Sequence, residues 1–233
     1  MNKLIAFGDS FTWGTDLSDE FILLNNTESD AVLMKRYGKL PNKFSKLSWI
    51  SLLANDIGIE YKCYAEPGSS NQSIARKLLD NINHISGDDI VVINWTWINR
   101  WDFYNSENKW ETVRPSGNKT ENSEIYFKYI QSELWDKWES LKTISTVLCV
   151  LKSKNINFLM TCIDPLIIDK RWHSPQYIQI LQDNLSDYLM WFDDMGFYEW
   201  SKVNKFSVSE GGHPLDDAHI EAFKYVKENY DFF

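Results

Sequence analysis

Short apolar runs that end in turn-forming residues recur along the chain. The first run stops at Gly8, the second stops just before Pro67, and the last stops before Asp164 and Pro165. A continuous apolar run bounded by such residues is typical of a β-strand that is buried on both faces. The pattern predicts strands at residues 4–7, 61–65, 90–93 and 156–162.

Between these runs, apolar positions recur about every three or four residues, which predicts amphipathic helices. Ser70 or Asn71 can cap one of them, because a side-chain oxygen there accepts a hydrogen bond from the first helical turn. The predicted helices cover residues 49–57, 70–82, 124–152, 176–190 and 218–228. Strands that alternate with helices predict an α/β fold: a three-layer α/β/α sandwich around a central parallel sheet.

Two connections, residues 15–47 and 99–123, are much longer than the about 2–6 residues usual in α/β units. Both leave the carboxyl ends of predicted strands, which form the edge where open α/β sheets bind ligands. We expect one domain over residues 1–233, with these two insertions as pocket walls or lids. The alternative is that the insertions only decorate the surface.

Charge argues against nucleic acid as a partner. The 233 residues carry a formal net charge of −9, so a phosphate backbone meets net repulsion. The densest basic stretch, residues 35–46, is interrupted by apolar and aromatic side chains and is typical of a solvated loop. With 43% hydrophobic and 24% charged residues, the composition is that of an ordinary globular protein.

Neither a membrane segment nor a metal site is expected. No apolar run approaches the about 18 residues of a membrane span, and residues 4–7 are too few for a signal-peptide core, so we expect a cytoplasmic protein. The three cysteines, Cys63, Cys149 and Cys162, have no regular spacing, which indicates reduced thiols and not a zinc site. The sequence therefore predicts no metal and no cofactor.

The segment after the first strand has the residues of a nucleophile turn. Gly8 lets the backbone turn sharply, and Ser10 then begins a helix, which exposes its hydroxyl beside backbone N–H groups. The alternative is an ordinary helix cap formed by Asp9 or Ser10.

A serine needs a base, and the C-terminal region offers His213 between Gly212 and Pro214. The two glycines before the histidine let the chain turn tightly enough for the Glu210 carboxylate to reach the imidazole and fix its tautomer. His219 also follows carboxylates, but it falls within the last predicted helix, where a lone histidine is usually structural.

With these motifs the sequence resembles the SGNH, or GDSL-like, hydrolases. Gly8-Asp9-Ser10, Gly68 after the second strand and His213-Pro214 match that family's motifs in the right chain order. The resemblance implies a flavodoxin-like SGNH hydrolase fold and a serine esterase that forms an acyl-enzyme on Ser10. It also implies that His213 is the general base and that the backbone N–H groups of Ser10 and Gly68 belong to the oxyanion hole.

Two positions depart from the family pattern. Glu210 stands where the family has aspartate three residues before the histidine, and we keep it as the third triad member. The segment after the third strand lacks Gly-x-Asn-Asp; counting from the strand start places Thr96 on the oxyanion-binding asparagine, with Asn94 or Asn99 as the alternative donor.

Four further residues are candidate substrate contacts: Asp9, Asn71, Trp97 and Arg100. Asn71 can equally cap the following helix, and Arg100 is either a binder of substrate carboxylate or phosphate or a surface cation stacked on a tryptophan. The expected substrate is an ester of a small molecule or an acylated sugar, with the aromatic residues favouring the sugar. The alternatives are a catalytically degenerate carbohydrate- or partner-binding protein, with Trp95, Trp97, Trp101 and Trp110 forming its surface, or an acyltransferase.

Overall fold

The computed structural model describes residues 2–19, 44–115, 120–172 and 174–230. Its strands are β1 (Lys3–Phe7), β2 (Glu60–Cys63), β3 (Ile90–Trp95), β4 (Trp101–Tyr104), β5 (Trp110–Val113), β6 (Asn157–Cys162) and β7 (Leu189–Met190). Five of them form a parallel sheet in the order β2-β1-β3-β6-β7, and β4 and β5 pair separately as an antiparallel hairpin. The predicted central parallel sheet is confirmed.

Helices cover both faces of the sheet. They are α1 (Ser10–Trp13), α2 (Trp49–Asp56), α3 (Asn71–Asn81), α4 (Glu121–Ile125), α5 (Glu133–Ser153), α6 (Gln176–Ser186), α7 (Phe197–Val203) and α8 (Asp216–Asn229). Apolar side chains of α3, α5 and α6 form one core with the sheet, and those of α2, α7 and α8 form the other. The predicted three-layer α/β/α sandwich is therefore confirmed. None of the described helices is long and apolar enough to cross a membrane.

The helix predicted over residues 124–152 is broken near its start. A π-helical turn, Tyr126–Ile130, follows α4, and α5 begins only after Ser132, whose hydroxyl accepts a hydrogen bond from the N–H of Trp135. The Asp136 carboxylate accepts hydrogen bonds from Tyr126 at 2.7 Å and from Gln131 at 2.8 Å, which holds the bend. The apolar stripe continues across the break, so the periodicity does not reveal it.

The two predicted insertions differ in what the structure describes of them. Most of the first, residues 20–43, lies outside the described residues. The second, residues 99–123, contains the hairpin β4–β5 and the start of α4. The helix predicted over residues 176–190 ends at Ser186, and its last residues form the edge strand β7.

The sheet order sets the position of the candidate site. Because β1 lies between β2 and β3, the segments that leave the carboxyl ends of these three strands meet at one edge of the sheet. These segments carry Ser10, Gly68 and Thr96, respectively. The sheet therefore brings together residues that are far apart in sequence.

Candidate active site

Ser10 begins the one-turn helix α1 directly after β1. The carboxylate of Asp9 accepts a hydrogen bond from the N–H of Phe11 at 3.1 Å and so caps this helix. Gly8 is required just before it, because a Cβ at that position would overlap the side chain of Thr12. Among the described residues, the Ser10 N–H has no hydrogen-bond acceptor, so it can serve an oxyanion.

Asp9 is an internal anchor, and the prediction that it contacts substrate is wrong. Its side chain is fully buried, and its Oδ2 accepts hydrogen bonds from the Thr96 hydroxyl at 2.7 Å and from Arg100 Nη1 at 3.0 Å. The same Arg100 nitrogen donates to the backbone oxygen of Ser69 at 3.0 Å. Arg100 therefore ties together the segments after β1, β2 and β3, so it is not the surface cation of the second alternative, and its contact with substrate stays a prediction.

Asn71 also holds the backbone instead of facing a pocket. It is fully buried, and its Oδ1 accepts the N–H of Thr96 at 2.8 Å while its Nδ2 donates to the Thr96 carbonyl at 3.2 Å. The predicted substrate contact through Asn71 is wrong for this reason. The amide fixes the chain at the end of β3.

The predicted oxyanion donor after β3 also needs correction. The Thr96 hydroxyl has one proton, and it donates that proton to Asp9, so it has none left for an oxyanion. Asn94 lies within β3 with its side chain fully buried, out of reach of a substrate at the sheet edge. Asn99 is half-buried and stays a prediction.

Gly68, which the family resemblance places in the oxyanion hole, lies in the turn after β2. Its φ of +82° lies in the left-handed region that favours glycine. A Cβ at Gly68 would also overlap the guanidinium of Arg114, which packs directly against the glycine. No described residue accepts a hydrogen bond from the Gly68 N–H.

The carboxylate beside His213 is that of Asp16, and the prediction that Glu210 fills this position is wrong. Nδ1 of His213 lies 2.8 Å from Oδ2 of Asp16, whereas Glu210 is exposed and has no hydrogen bond to the ring. The hydroxyl of Ser209 donates to the same Asp16 oxygen at 2.7 Å and accepts the His213 backbone N–H at 3.2 Å. The loop before His213 thus turns the ring toward α1 and away from Glu210.

Asp16 carries the charge that fixes the imidazole. Burial opposes its ionisation, but the hydrogen bonds from Ser209 and His213 outweigh burial and hold the pKa of its carboxyl below the usual value. An anionic acceptor at Nδ1 keeps the ring proton on that nitrogen, so Nε2 carries the lone pair that a general base needs.

The imidazole lies next to the start of α1. The ring centroids of His213 and Phe11 are 5.5 Å apart, and Phe11 directly follows Ser10 in the chain. Among the hydrogen bonds of the described residues, none joins the Ser10 hydroxyl to the ring. Catalytic hydrogen bonds are often long without substrate and shorten when it binds.

Trp97 lies close to the same place. It is half-buried, and its ring packs edge-on against Tyr198 with the centroids 5.9 Å apart. Tyr198 in turn packs against Phe11 at 6.0 Å. Of the other tryptophans grouped in the sequence, Trp95 is fully buried in the core and Trp110 is 53% exposed on the hairpin.

His219, the other candidate base, is in the core. It is 1% exposed, and its Nδ1 accepts the N–H of Trp49 at 3.1 Å, which caps the start of α2. Burial lowers the pKa of His219 to about 3, so the ring is neutral near pH 7. His219 therefore has a structural role as a cap on α2.

Comparisons with known proteins identify the fold. No family model matches the chain, and no curated protein matches its sequence. Solved structures do match: a member of the lipolytic protein G-D-S-L family from Veillonella parvula DSM 2008 is 11% identical, with 99% of this chain and 98% of that chain covered and a TM-score of 0.50. The psychrotrophic esterase EstA from Pseudoalteromonas sp. is 10% identical, with 98% and 96% covered and a TM-score of 0.51.

A third solved structure is that of a carbohydrate esterase whose active site is described as having divergent catalytic and non-catalytic binding functions. It is 13% identical, with 97% of this chain and 67% of that chain covered and a TM-score of 0.50. These similarities confirm that the chain has the SGNH hydrolase fold that its motifs predicted.

Proposed function

We propose that this protein, with the fold of the G-D-S-L esterases, is a serine esterase. In this proposal Ser10 is the nucleophile, His213 is the general base and Asp16 orients the base. The observation that carries the proposal is the 2.8 Å hydrogen bond between His213 and Asp16. It supplies an oriented imidazole beside the helix that Ser10 begins, and a serine needs such a base to become nucleophilic.

The reaction follows from these positions. Nε2 of His213 takes the Ser10 hydroxyl proton while Oγ forms a bond to the ester carbonyl carbon. The bond between the carbonyl carbon and the leaving oxygen then breaks, and the imidazolium gives this proton to the departing alkoxide. The alkoxide leaves as an alcohol, and the acyl group remains on Ser10 as an acyl-enzyme. Water repeats the sequence and releases the acid. The Asp16 carboxylate stabilises the imidazolium and stays ionised throughout.

Two backbone N–H groups stabilise the negative carbonyl oxygen in this proposal. They belong to Ser10 and Gly68, and both lack an acceptor among the described residues. One such donor is worth about 3–4 kcal/mol of transition-state stabilisation when it is in place before the reaction. Asp9 and Arg100 act indirectly, because their buried ion pair holds the segments that carry these groups in register.

The substrate class that we propose is an ester of a small molecule or an acylated sugar. The fold similarity to a carbohydrate esterase supports the sugar, and the half-buried Trp97 supplies a flat apolar ring near Phe11. Transfer of the acyl group to an alcohol instead of water uses the same acyl-enzyme. Accumulation of an ester product when an alcohol is added identifies that variant of the reaction.

The test is hydrolysis of 4-nitrophenyl acetate together with labelling by a fluorophosphonate probe. Ser10→Ala is expected to abolish both, and His213→Ala to lower kcat at least about a thousandfold. The matched control is His84→Ala, because His84 is exposed and lies between α3 and the start of β3, at the opposite edge of the sheet. Absence of activity and of labelling in the wild-type protein refutes the esterase and favours a catalytically degenerate binding protein.

A further inference from the structure

A cavity of about 470 Å³ opens beside Gly68, the proposed oxyanion donor. The loop after β2, helix α3 and the hairpin β4–β5 form its walls. Its volume lies within the about 300–1,000 Å³ typical of small-molecule sites. The charged side chains of the lining are Glu66, Arg76, Lys77, Asp80 and Arg114.

Two of the three cations in this lining are neutralised by neighbouring carboxylates. Arg76 forms an ion pair with the buried Asp102, and its guanidinium lies 3.8 Å from the ring centroid of Trp110. Lys77 forms an ion pair with Glu66. These contacts fix the walls of the cavity and leave little net charge on them.

Arg114 is different. Within the part of the chain that the structure describes, it makes no ion pair, and its guanidinium packs against the backbone of Gly68. Asp80, the remaining carboxylate, lies on α3 one turn beyond Arg76, whereas Arg114 is the charged group in contact with the glycine. A positive charge that forms no ion pair with any described residue therefore borders the place where the ester carbonyl would bind.

The chemistry of this charge indicates its ligand. The protein as a whole carries a net charge of −9 and repels anions, so an anionic substrate needs a local cation to be held. A guanidinium presents its donors in a planar fork that matches the oxygens of a carboxylate or a phosphate.

We infer that the cavity binds an anionic group of the ester substrate and that Arg114 is the specificity residue for it. The inference rests on the proposed esterase and narrows its substrate to esters that carry a carboxylate or phosphate close to the scissile bond. The anionic group belongs either to the acyl group or to the alcohol that leaves. The experiment below distinguishes these two locations.

The test compares matched anionic and neutral esters. For the acyl side these are 4-nitrophenyl hemiglutarate and 4-nitrophenyl valerate, and for the leaving group they are 4-acetoxybenzoate and 4-acetoxybenzamide. For each pair we take the ratio of kcat/KM for the anionic ester to kcat/KM for the neutral ester. In the pair whose anion lies on the side that Arg114 contacts, this ratio is expected to fall about tenfold in Arg114→Gln. Arg114→Lys is expected to recover part of the ratio, since it keeps the charge and loses the fork. Inhibition by glutarate and by inorganic phosphate at constant ionic strength shows which anion is preferred.

The control variant is Lys109→Gln, which removes a cation from the same hairpin. Lys109 is exposed, pairs with Glu107 and does not line the cavity. An unchanged ratio in both pairs for Arg114→Gln, or an equal fall for Lys109→Gln, overturns the inference.

Failure of the esterase itself gives a different result. If no ester is cleaved, the proposed function fails, and calorimetric titration of the wild-type protein with glutarate and phosphate still tests the cavity. Binding that Arg114→Gln abolishes supports the anion site, and absence of binding refutes it.

Discussion

The imidazole Nδ1 of His213 lies 2.8 Å from a carboxylate oxygen of Asp16, although 197 positions separate the two residues in the chain. Asp16 follows the helix that begins with Ser10, so the acid and the nucleophile of the proposed triad leave the same strand. Its backbone φ of +68° lies in the left-handed region, which aspartate adopts more often than most residues other than glycine. The hydrogen bonds with Ser209 and His213 hold its side-chain carboxylate beside the imidazole.

Replacing Asp16 by Asn should therefore lower kcat strongly. The amide cannot stabilise an imidazolium and allows the wrong tautomer, a change that costs about 10⁴ in the best-studied serine protease triad. We expect a fall of about 10²–10⁴ in kcat with 4-nitrophenyl acetate, and a KM within about threefold of the wild-type value. Circular dichroism of the variant checks that it is folded.

Glu210→Gln is the matched control for this substitution. Glu210 is exposed and has no hydrogen bond to His213 among the described contacts, so its loss should leave kcat within about twofold. Equal losses in Asp16→Asn and Glu210→Gln contradict the assignment of the acid.

Thr96→Val separates a structural from a catalytic role for the threonine hydroxyl. In the structure this hydroxyl donates to the buried Asp9, which Arg100 also contacts. Its removal should cost about 1–3 kcal/mol in the free energy of unfolding, the usual cost of an unmade hydrogen bond to a buried group. Urea unfolding measures this cost. A fall in kcat of about 10²–10³ with unchanged stability would instead mark an oxyanion donor.

Gly68→Ala should lower the free energy of unfolding for two reasons, and a double variant can separate them. The left-handed backbone costs about 1 kcal/mol for alanine, and the new Cβ also meets the guanidinium of Arg114. The double variant Gly68→Ala/Arg114→Ala should recover the stability lost through the overlap with the guanidinium. It should keep the loss that comes from the left-handed backbone. Urea unfolding of the wild-type protein, the two single variants and the double variant gives the coupling free energy between positions 68 and 114. A coupling free energy of zero contradicts the close packing of Arg114 against Gly68.

The layers of the fold follow from the sequence because their signals are local. Apolar runs bounded by turn-forming residues predicted four of the five strands of the parallel sheet, and the alternation with helices predicted its direction. The hydrophobic pattern does not reveal β7, because this strand has only two residues. It also does not reveal the helix break at Ser132, because the apolar spacing continues past this capping serine. Short hydrogen-bonded details of this kind do not change the hydrophobic pattern.

Site residues could be predicted from the sequence only where a residue of suitable chemistry directly follows a strand end or a glycine turn. Ser10, Gly68 and His213 each follow a glycine turn or a strand end, and the sheet brings the first two to one edge. The acid was missed because proximity in sequence favoured Glu210, whereas the fold sends the ring toward Asp16. A signal existed in Asp16 itself, a short acidic residue two positions after Gly14 at the end of a one-turn helix. Asp9 and Asn71 were misassigned because a buried polar network has the same residue types as a binding site.

The buried neutral ring of His219 should make the protein less stable in acid. Burial lowers its pKa in the folded state to about 3, against an ordinary value of 6.5. Between these two pH values the unfolded chain binds a proton that the folded protein excludes, so the free energy of unfolding falls as the pH decreases. At pH 5.0 this single group should cost about 2 kcal/mol relative to pH 7.5, because each pH unit below 6.5 contributes about 1.4 kcal/mol.

His219→Asn tests this effect, because the asparagine oxygen can still accept the N–H of Trp49 that His219 Nδ1 accepts in the wild-type protein. The variant loses packing against Phe197, whose ring centroid is 4.8 Å away, so its stability at pH 7.5 should be lower. The informative quantity is the difference between the free energies of unfolding in urea at pH 7.5 and pH 5.0. That difference should shrink by about 2 kcal/mol in His219→Asn. An unchanged difference in His219→Asn would show that the ring is protonated without cost in the folded protein, and its position in the core would then not be that of a neutral cap on α2.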